Sequence, residues 1–290
     1  MGQLLEYSLV GIASGGIYVL SAMGFVIIYK ASGIFNFAMG EMMMLGAYMF
    51  YAAIAQLHLG WPLAVLTAVA GSALLALLIE RALLRPMLGQ PAVVLVMITL
   101  GVGSILRGAA GLIWGPDIMM LPDFLPTRPI FLGDILIPGK LAWSFAAVVL
   151  CAVAFILYYR LSRAGLAIRA TASDQATAES LGIDVRRVFA LTWALAGVLA
   201  ALPGIAAGAL NGVTPQLGAV ALNVLAVVIL SGMTNIEGVL VSGILIGWLE
   251  TIVGAYLGTD WQNFLPYLIV LAVMLVRPTG LFGEARVERI

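Results

Sequence analysis

Nine apolar runs, each close to the length of a membrane-crossing helix, follow one another along a chain of 290 residues. They lie at 6–28, 38–57, 61–83, 92–114, 141–160, 188–210, 217–233, 237–257 and 263–277. About 20 apolar residues in a helix span the hydrocarbon core, where only helices and closed barrels satisfy their own backbone hydrogen bonds. The runs predict an all-α fold, a polytopic transmembrane helical bundle of about eight to ten spans, best counted as nine. They form a single domain over 1–290. Two runs are atypical: 92–114 contains Arg107, and 217–233 is short and follows Pro215. Composition agrees, because 63% of residues are hydrophobic and only 10% are charged, against about 25% charged in a soluble domain. A net charge of zero offers nothing to a nucleic acid. The lone Cys151 sits in an apolar run, where it reads as packing without a disulfide partner. The first residues, Met1 to Glu6, lack a basic start and a small-residue cleavage site, so the first run is expected to stay as a span.

Basic residues in short loops set the orientation. Lys30, then Arg81 and Arg85, then Arg160, Arg163, Arg169, Arg186 and Arg187, then Arg277, Arg286 and Arg289 all fall on one side of a nine-span chain. That side is expected to be cytoplasmic, with the C-terminus inside and the N-terminus outside. The opposite loop, 115–140, sets Asp117, Asp123 and Asp134 against Arg128 and Lys140 and carries Pro116, Pro122, Pro126, Pro129 and Pro138. It reads as a stiff external loop with little regular structure. Glycines one turn apart (Gly11 and Gly15; Gly204, Gly208 and Gly212; Gly243 and Gly247; Gly254 and Gly258) read as packing seams of a bundle rather than as a ligand site.

Three polar interruptions carry the chemistry. Between 31 and 41 the chain reads Ala-Ser32-Gly33-Ile-Phe35-Asn36-Phe37-Ala-Met39-Gly40-Glu41. Irregular backbone at membrane depth survives only where protein or a watery path satisfies it. Two readings stand: a discontinuous helix lining a path, or an ordinary loop before an N-capped helix. Glu41 would sit near the positive end of the following helix dipole. The second interruption, the loop 161–187, follows Arg160, ends on Arg186 and Arg187, and contains Arg163 and Arg169. Thr171 and Ser173 can cap a short helix beginning near Asp174, and Gly182 suits its C-terminal end. Positive charge explains the arginines of a solvated connector, but not why the connector should be a capped helix. The third, Ser231 to Gly238, reads as a tight turn on the same side. Beyond it, Glu250 lies inside the next span, where an ionisable residue is costly and faces the bundle interior. A Glu250–Arg107 pair and an interfacial position for each are both open. No Gly-x-x-x-x-Gly-Lys-Ser/Thr loop, no Gly-x-Ser-x-Gly elbow and only one histidine, His58, occur, so neither nucleotide hydrolysis nor histidine-based zinc chemistry is expected of the chain.

On these residues the chain resembles the branched-chain amino acid ABC transporter permeases of the LivH type, nearly end to end. Gly33-Ile-Phe-Asn36-Phe37-Ala-Met39-Gly40-Glu41 is similar to the family's "INFAHGE" signature, followed by Met44-Leu-Gly-Ala-Tyr48. Arg81-Ala-Leu-Leu-Arg85-Pro86, Ile98-Thr99-Leu100-Gly101, Arg163 to Ala170 with Asp174 and Leu181-Gly182-Ile183, and Arg277-Pro-Thr-Gly-Leu-Phe-Gly283 match further family segments in order. Two positions depart: Met39 replaces the usual histidine, and Ser231-Gly-Met-Thr-Asn235 replaces a glycine-rich turn.

The resemblance implies a bacterial importer in the inner membrane. A periplasmic solute-binding protein delivers branched-chain or related amino acids to two permeases, the second related but non-identical. Two cytoplasmic ATP-binding subunits drive the switch between inward- and outward-facing states. ATP and Mg²⁺ then belong to the partner subunits, and this chain is a pore-forming subunit with no cofactor of its own rather than an enzyme. The resemblance places ATPase coupling on Ser173, Asp174, Glu179 and Gly182, in a helix 174–181 seated in a groove of the ATPase. It suggests a translocation path at Asn36, Phe37 and Glu41, with Glu250 a further candidate. The wider family also includes permeases for urea and short amides. A self-powered secondary transporter is the main reading outside the family, and its midplane charges would be Glu41, Arg107 and Glu250.

Overall fold

The computed structural model describes residues 2–87, 89–132 and 135–283. Asp134, Arg286 and Arg289, used above to place charge, lie outside the described residues. All nine apolar runs fold as helices. They are α1 (Gly2–Ser32), α2 (Met39–Tyr51), α3 (Trp61–Ile79), α4 (Ala92–Trp114) and α5 (Gly139–Leu161), then, beyond the polar loop, α8 (Val185–Asn211), α9 (Val220–Ser231), α10 (Ile236–Leu257) and α11 (Thr259–Val276). The polar loop itself holds α6 (Arg163–Ser173) and α7 (Gln175–Ser180). Among the described residues, seven helices are long and apolar enough to cross a membrane. The remaining two are shorter. Helix α2 continues as one π-helical stretch, Ala52–Gln56, and α9 is preceded by a 3-10 segment, Pro215–Ala219.

Glycine seams hold the bundle together, because lipid offers no hydrophobic drive between helices and close backbone contact must supply the attraction. Helices α1 and α10 meet along one such seam. A Cβ added to Gly11 would stand 2.8 Å from the Trp248 Cα, and one on Gly15 2.8 Å from the Ile244 Cα, while Gly247 faces the Gly15 backbone. Helix α8 is central and packs on α1, α2 and α3. Its Gly197 abuts the backbone of Ser72 and Ala73, and its Gly204 the Met43 carbonyl. Gly212 and Gly258 play a different part from the expected seams: at φ 79° and 96° they turn the chain at the ends of α8 and α10.

Two helices are broken inside the bundle. The first turn of α2 lies beside the middle of α1, not beside its end: Met39 packs on Gly24, and the Ser21 hydroxyl approaches the Met43 sulfur at 3.5 Å. After α1 ends at Ser32, the segment 33–38 therefore climbs back into the bundle before α2 begins. The second break has the opposite sense. Helix α8 ends at Asn211, about 10 Å beyond the level of Gly204. Val213 then pairs with Met119 at that end of the molecule, and the 3-10 segment brings Gly218 back against Gly40. Thus α2 and α9 both start within the bundle, with their N-terminal turns in contact.

At one end, the tips of α1, α3, α5 and α8 gather the basic residues: Arg85 reaches the Arg186 carbonyl at 3.5 Å, and Lys30 and Arg169 both lie over the Tyr159 ring. Glu80, buried near the end of α3, pairs with Arg85 through two 3.0 Å contacts. The opposite end carries the 115–138 segment. Its expected irregularity is relieved by a short antiparallel pair, β1 (Ile130–Leu132) with β2 (Ile135–Ile137), in which Ile130 faces Ile137. Phe124 anchors the segment on Phe50 with ring centres 4.8 Å apart, and Lys140 pairs with Asp123 at 2.6 Å.

Candidate functional site

Within the break at 33–38, Ile34, Asn36 and Ala38 are buried, Phe35 and Phe37 half-buried and Gly33 exposed, and several of its polar groups are paired locally. Asn36, 1% exposed, accepts the Ala38 N–H on Oδ1 at 3.1 Å and points its amide at the Met42 sulfur at 3.5 Å. The Phe37 N–H donates to the Thr99 hydroxyl of α4 at 3.2 Å, and that hydroxyl in turn donates to the Val96 carbonyl at 2.8 Å. No side chain caps α2; Ala38 occupies the cap position. Of the two readings left open by sequence, the chain adopts a helix break rather than a loop before an N-capped helix, since α2 has no side-chain cap and starts beside the middle of α1. Met39 fills the space over Gly24 and is buried.

Glu41 follows in the first turn of α2, where the helix dipole favours a carboxylate. Its Oε1 accepts from Arg107 Nη2 of α4 at 2.5 Å. Glycine makes this approach possible on two sides. A Cβ on Gly103 would stand 3.2 Å from Glu41 Oε2, and one on Gly218 3.4 Å from Oε1 and 3.5 Å from Arg107 Nη2. The pair is unevenly covered: the Glu41 side chain is 11% exposed and that of Arg107 50%. It opens into a recess of ≈ 500 Å³ walled by Phe37, Leu100, Gly103, Ser104 and Gly108.

Glu250 does not join this site. It is 5% exposed on α10 and accepts from the Asn223 amide of α9 at 3.2 Å, and Tyr267 of α11 donates to Asn223 at 3.4 Å. The Glu250–Arg107 pair that spacing left open is therefore not formed; Arg107 belongs to Glu41. Among the described residues no group of three or more His, Cys, Asp or Glu is placed to hold a metal ion.

The polar loop forms two helices rather than one. Ser162 caps α6, accepting the Gly165 N–H at 2.9 Å. Asp174 caps α7, accepting the Thr177 N–H at 2.7 Å. Thr171 and Ser173, expected as caps, instead lie within α6, Thr171 buried and Ser173 exposed at its last position. A residue can cap only where the backbone leaves helical geometry, and that happens at Asp174, with φ −156° and ψ 113°. The Thr177 backbone hydrogen bond holds the Asp174 carboxyl below the usual carboxylate range. Gly182 ends the unit at φ 85°, a left-handed conformation that favours glycine. Most of 173–182 is exposed, and Leu181 projects from it. Yet the loop touches the first break: Gln175 donates to the Ala31 carbonyl at 3.4 Å, and Glu179 lines a recess with Ser32, Gly33 and Ile34.

Asn36, Phe37 and Glu41 thus come together, and so do Ser173, Asp174, Glu179 and Gly182, in two places linked through the end of α1. Sequence reading missed Thr99, Gly103 and Gly218, and the pairing of Arg107. A signal existed for three of the four. Thr99, Gly103 and Arg107 recur every four residues, which puts them on one face of α4.

A family model described as "Branched-chain amino acid transport system / permease component" matches residues 8–274. The chain is 30% identical over 297 residues to the high-affinity branched-chain amino acid transport system permease protein LivH of Escherichia coli K12, covering 97% of this chain and 96% of that protein. It is 29% identical over 296 residues to the corresponding protein BraD of Pseudomonas aeruginosa, with the same coverage. Against a probable branched-chain amino acid transport permease protein LivH of Methanocaldococcus jannaschii, identity is 26% over 285 residues, 91% of this chain and 88% of that one.

Proposed function

The chain belongs to the branched-chain amino acid transport system permease family, and from that premise we propose that it is the membrane-spanning subunit of a bacterial ABC importer for branched-chain or related amino acids. In this reading the basic end faces the cytoplasm of an inner-membrane protein, in keeping with the positive-inside rule. Two ATP-binding subunits dock there and carry ATP and Mg²⁺. A second, non-identical permease faces the recess beside α4 and closes the path, and a periplasmic binding protein delivers substrate at the opposite end.

The observation that carries the reading is the contact between Gln175 and Ala31. It joins an exposed, capped helix to the rim of the helix break. An ATPase gripping α7 through Asp174, Glu179 and Gly182 would move α6 and α7 as a unit. The displacement would reach the end of α1 and, through 33–38, the first turn of α2. Ser173 would act as the junction of the two loop helices. Bistable, packed elements carry such shifts between sites. The path would run past Asn36, Phe37 and Glu41, with Glu250 supporting α9 and α10 from behind.

The test is a cross-link. A cysteine at exposed Ala176, in a Cys151→Ala background, is treated with a bifunctional thiol reagent in membranes containing the co-expressed ATPase subunits. A permease–ATPase adduct that changes with nucleotide is expected. Labelling of Ala176→Cys without any ATPase adduct, in a complex that co-purifies, would remove the coupling role of α7.

A further inference from the structure

We propose that the Glu41–Arg107 pair is a head-group subsite for a zwitterionic α-amino acid, with the substrate carboxylate on Arg107, its ammonium on Glu41 and its side chain against Phe37 and Leu100. The inference rests on reading the chain as an amino-acid permease and assigns the residues that would recognise the substrate class.

A purely structural ion pair in a membrane protein is enclosed, with its spare donors and lone pairs satisfied by neighbours, because lipid satisfies none of them. This pair is different. A guanidinium carries five N–H donors; among the described residues, that of Arg107 donates only to Glu41 Oε1. Half of its side chain is open, and the open side faces the ≈ 500 Å³ recess. Small-molecule sites fall at about 300–1,000 Å³. Glu41 Oε2 also accepts no hydrogen bond among the described residues, and Gly103 beside it carries no side chain to cover it. The recess thus presents a cation with free donors next to an anion with a free acceptor, flanked by one aromatic and one aliphatic wall.

That pattern matches a molecule with carboxylate and ammonium on one carbon and an apolar branch. The pair is neutral overall, so a neutral zwitterion replaces it charge for charge, whereas a lone anion or cation would leave one partner uncompensated in a low-dielectric site. Urea and simple amides lack the charges that would compete with a 2.5 Å ion pair. The Ser104 hydroxyl donates to the Leu100 carbonyl at 3.1 Å and so leaves the recess without a competing donor from that wall. No proton transfer or bond cleavage is involved; the site binds and releases.

Two measurements on the assembled transporter test this. In proteoliposomes carrying the full complex and its binding protein, Arg107→Gln should lower radiolabelled L-leucine uptake by about 10- to 100-fold, the loss expected for a hydrogen bond between charged groups. Uptake is scored only on variant complex that co-purifies intact with its partner subunits. Uptake by assembled Arg107→Gln that matches wild type overturns the site while leaving the importer reading intact. The second measurement does not depend on that variant. Ser104→Cys, in a Cys151→Ala background, is labelled with a cationic methanethiosulfonate in membranes. Millimolar L-leucine should slow labelling, and 3-methylbutylamine and 4-methylpentanoate, each lacking one charge, should not. Equal protection by 4-methylpentanoate overturns the role of Glu41, and no protection by L-leucine overturns the subsite. Protection by L-leucine in a complex that shows no ATP-dependent uptake supports the subsite and counts against the importer reading instead.

Discussion

Asn36 shows how one side chain makes a helix break tolerable inside a bilayer. Its carbonyl oxygen takes the place of the missing helical acceptor for the Ala38 N–H. Asn36→Ala leaves that buried N–H unpaired, which costs about 1–3 kcal/mol. The detergent-solubilised variant should melt at lower temperature, whereas Asn36→Ser, which keeps an uncharged acceptor oxygen near the Ala38 N–H, should lie closer to wild type. Asp174 works in the same way outside the membrane, and its titration has a definite sign. Because the capping hydrogen bond lowers its pKa in the folded state, the stabilisation of α7 is complete above the ordinary carboxylate range and disappears as pH falls through the lowered value. Hydrogen exchange of the Thr177 amide should therefore accelerate toward acid relative to an Asp174→Asn variant. A ratio between the two proteins that does not change with pH would count against the charged cap.

At the scale of elements, the seam between α1 and α10 and the free face of α4 give opposite expectations for the same substitution. Gly15→Val drives a side chain into the Ile244 backbone, and overpacking of this kind costs about 1–3 kcal/mol. Gly101, in α4, has nothing within 4 Å of an added Cβ. Gly101→Ala should be neutral or slightly stabilising, since glycine in a helix interior costs roughly 1 kcal/mol relative to alanine. Thermal melting of both variants checks the contrast. The helices themselves were legible in the sequence because apolar length fixes a span, and Gly182 was legible because a glycine after a short helical run marks a left-handed stop. The caps were misread at Thr171 and Ser173, since a hydroxyl signals a cap only where the backbone bends, and α6 carries the helix through both. The second break was also hidden. The run at 217–233 looked merely short, and nothing in its spacing reveals that Pro215 to Ala219 return to the level of Gly40. The partner of Arg107 was open for the same reason: pairing between α2 and α4 is set by how α8 holds α2, which is tertiary information.

At the scale of the whole molecule, the chain is a frame of long packed helices around two opposed half-helices. Long, glycine-seamed α1, α8 and α10 form the frame; α2 and α9 start within it and meet at Gly40 and Gly218. Gly40→Val would push the Gly218 carbonyl and Ala221 away. It should disturb the contact between the half-helices, lowering transport in a protein that still inserts and co-purifies with its partners. The loop at the basic end is tied to this centre through Gln175 and the end of α1, so motion imposed on α7 has a short route to Glu41. In the proposed coupling, Gly182, where an added Cβ meets nothing within 4 Å, is the place to interrupt that route without touching the bundle. Proline there is incompatible with φ 85° and removes the N–H that donates to the Glu179 carbonyl at 3.0 Å. The decisive measurement is radiolabelled L-leucine uptake, with ATP hydrolysis measured in parallel, by proteoliposomes containing this chain with the proposed permease partner, ATPases and binding protein, with wild-type chain or Gly182→Pro. Uptake that requires both ATP and the binding protein, and that is lost in the assembled variant while ATP hydrolysis continues, is the predicted result. Uptake by the chain alone without ATP, or uptake unchanged by Gly182→Pro, would contradict it.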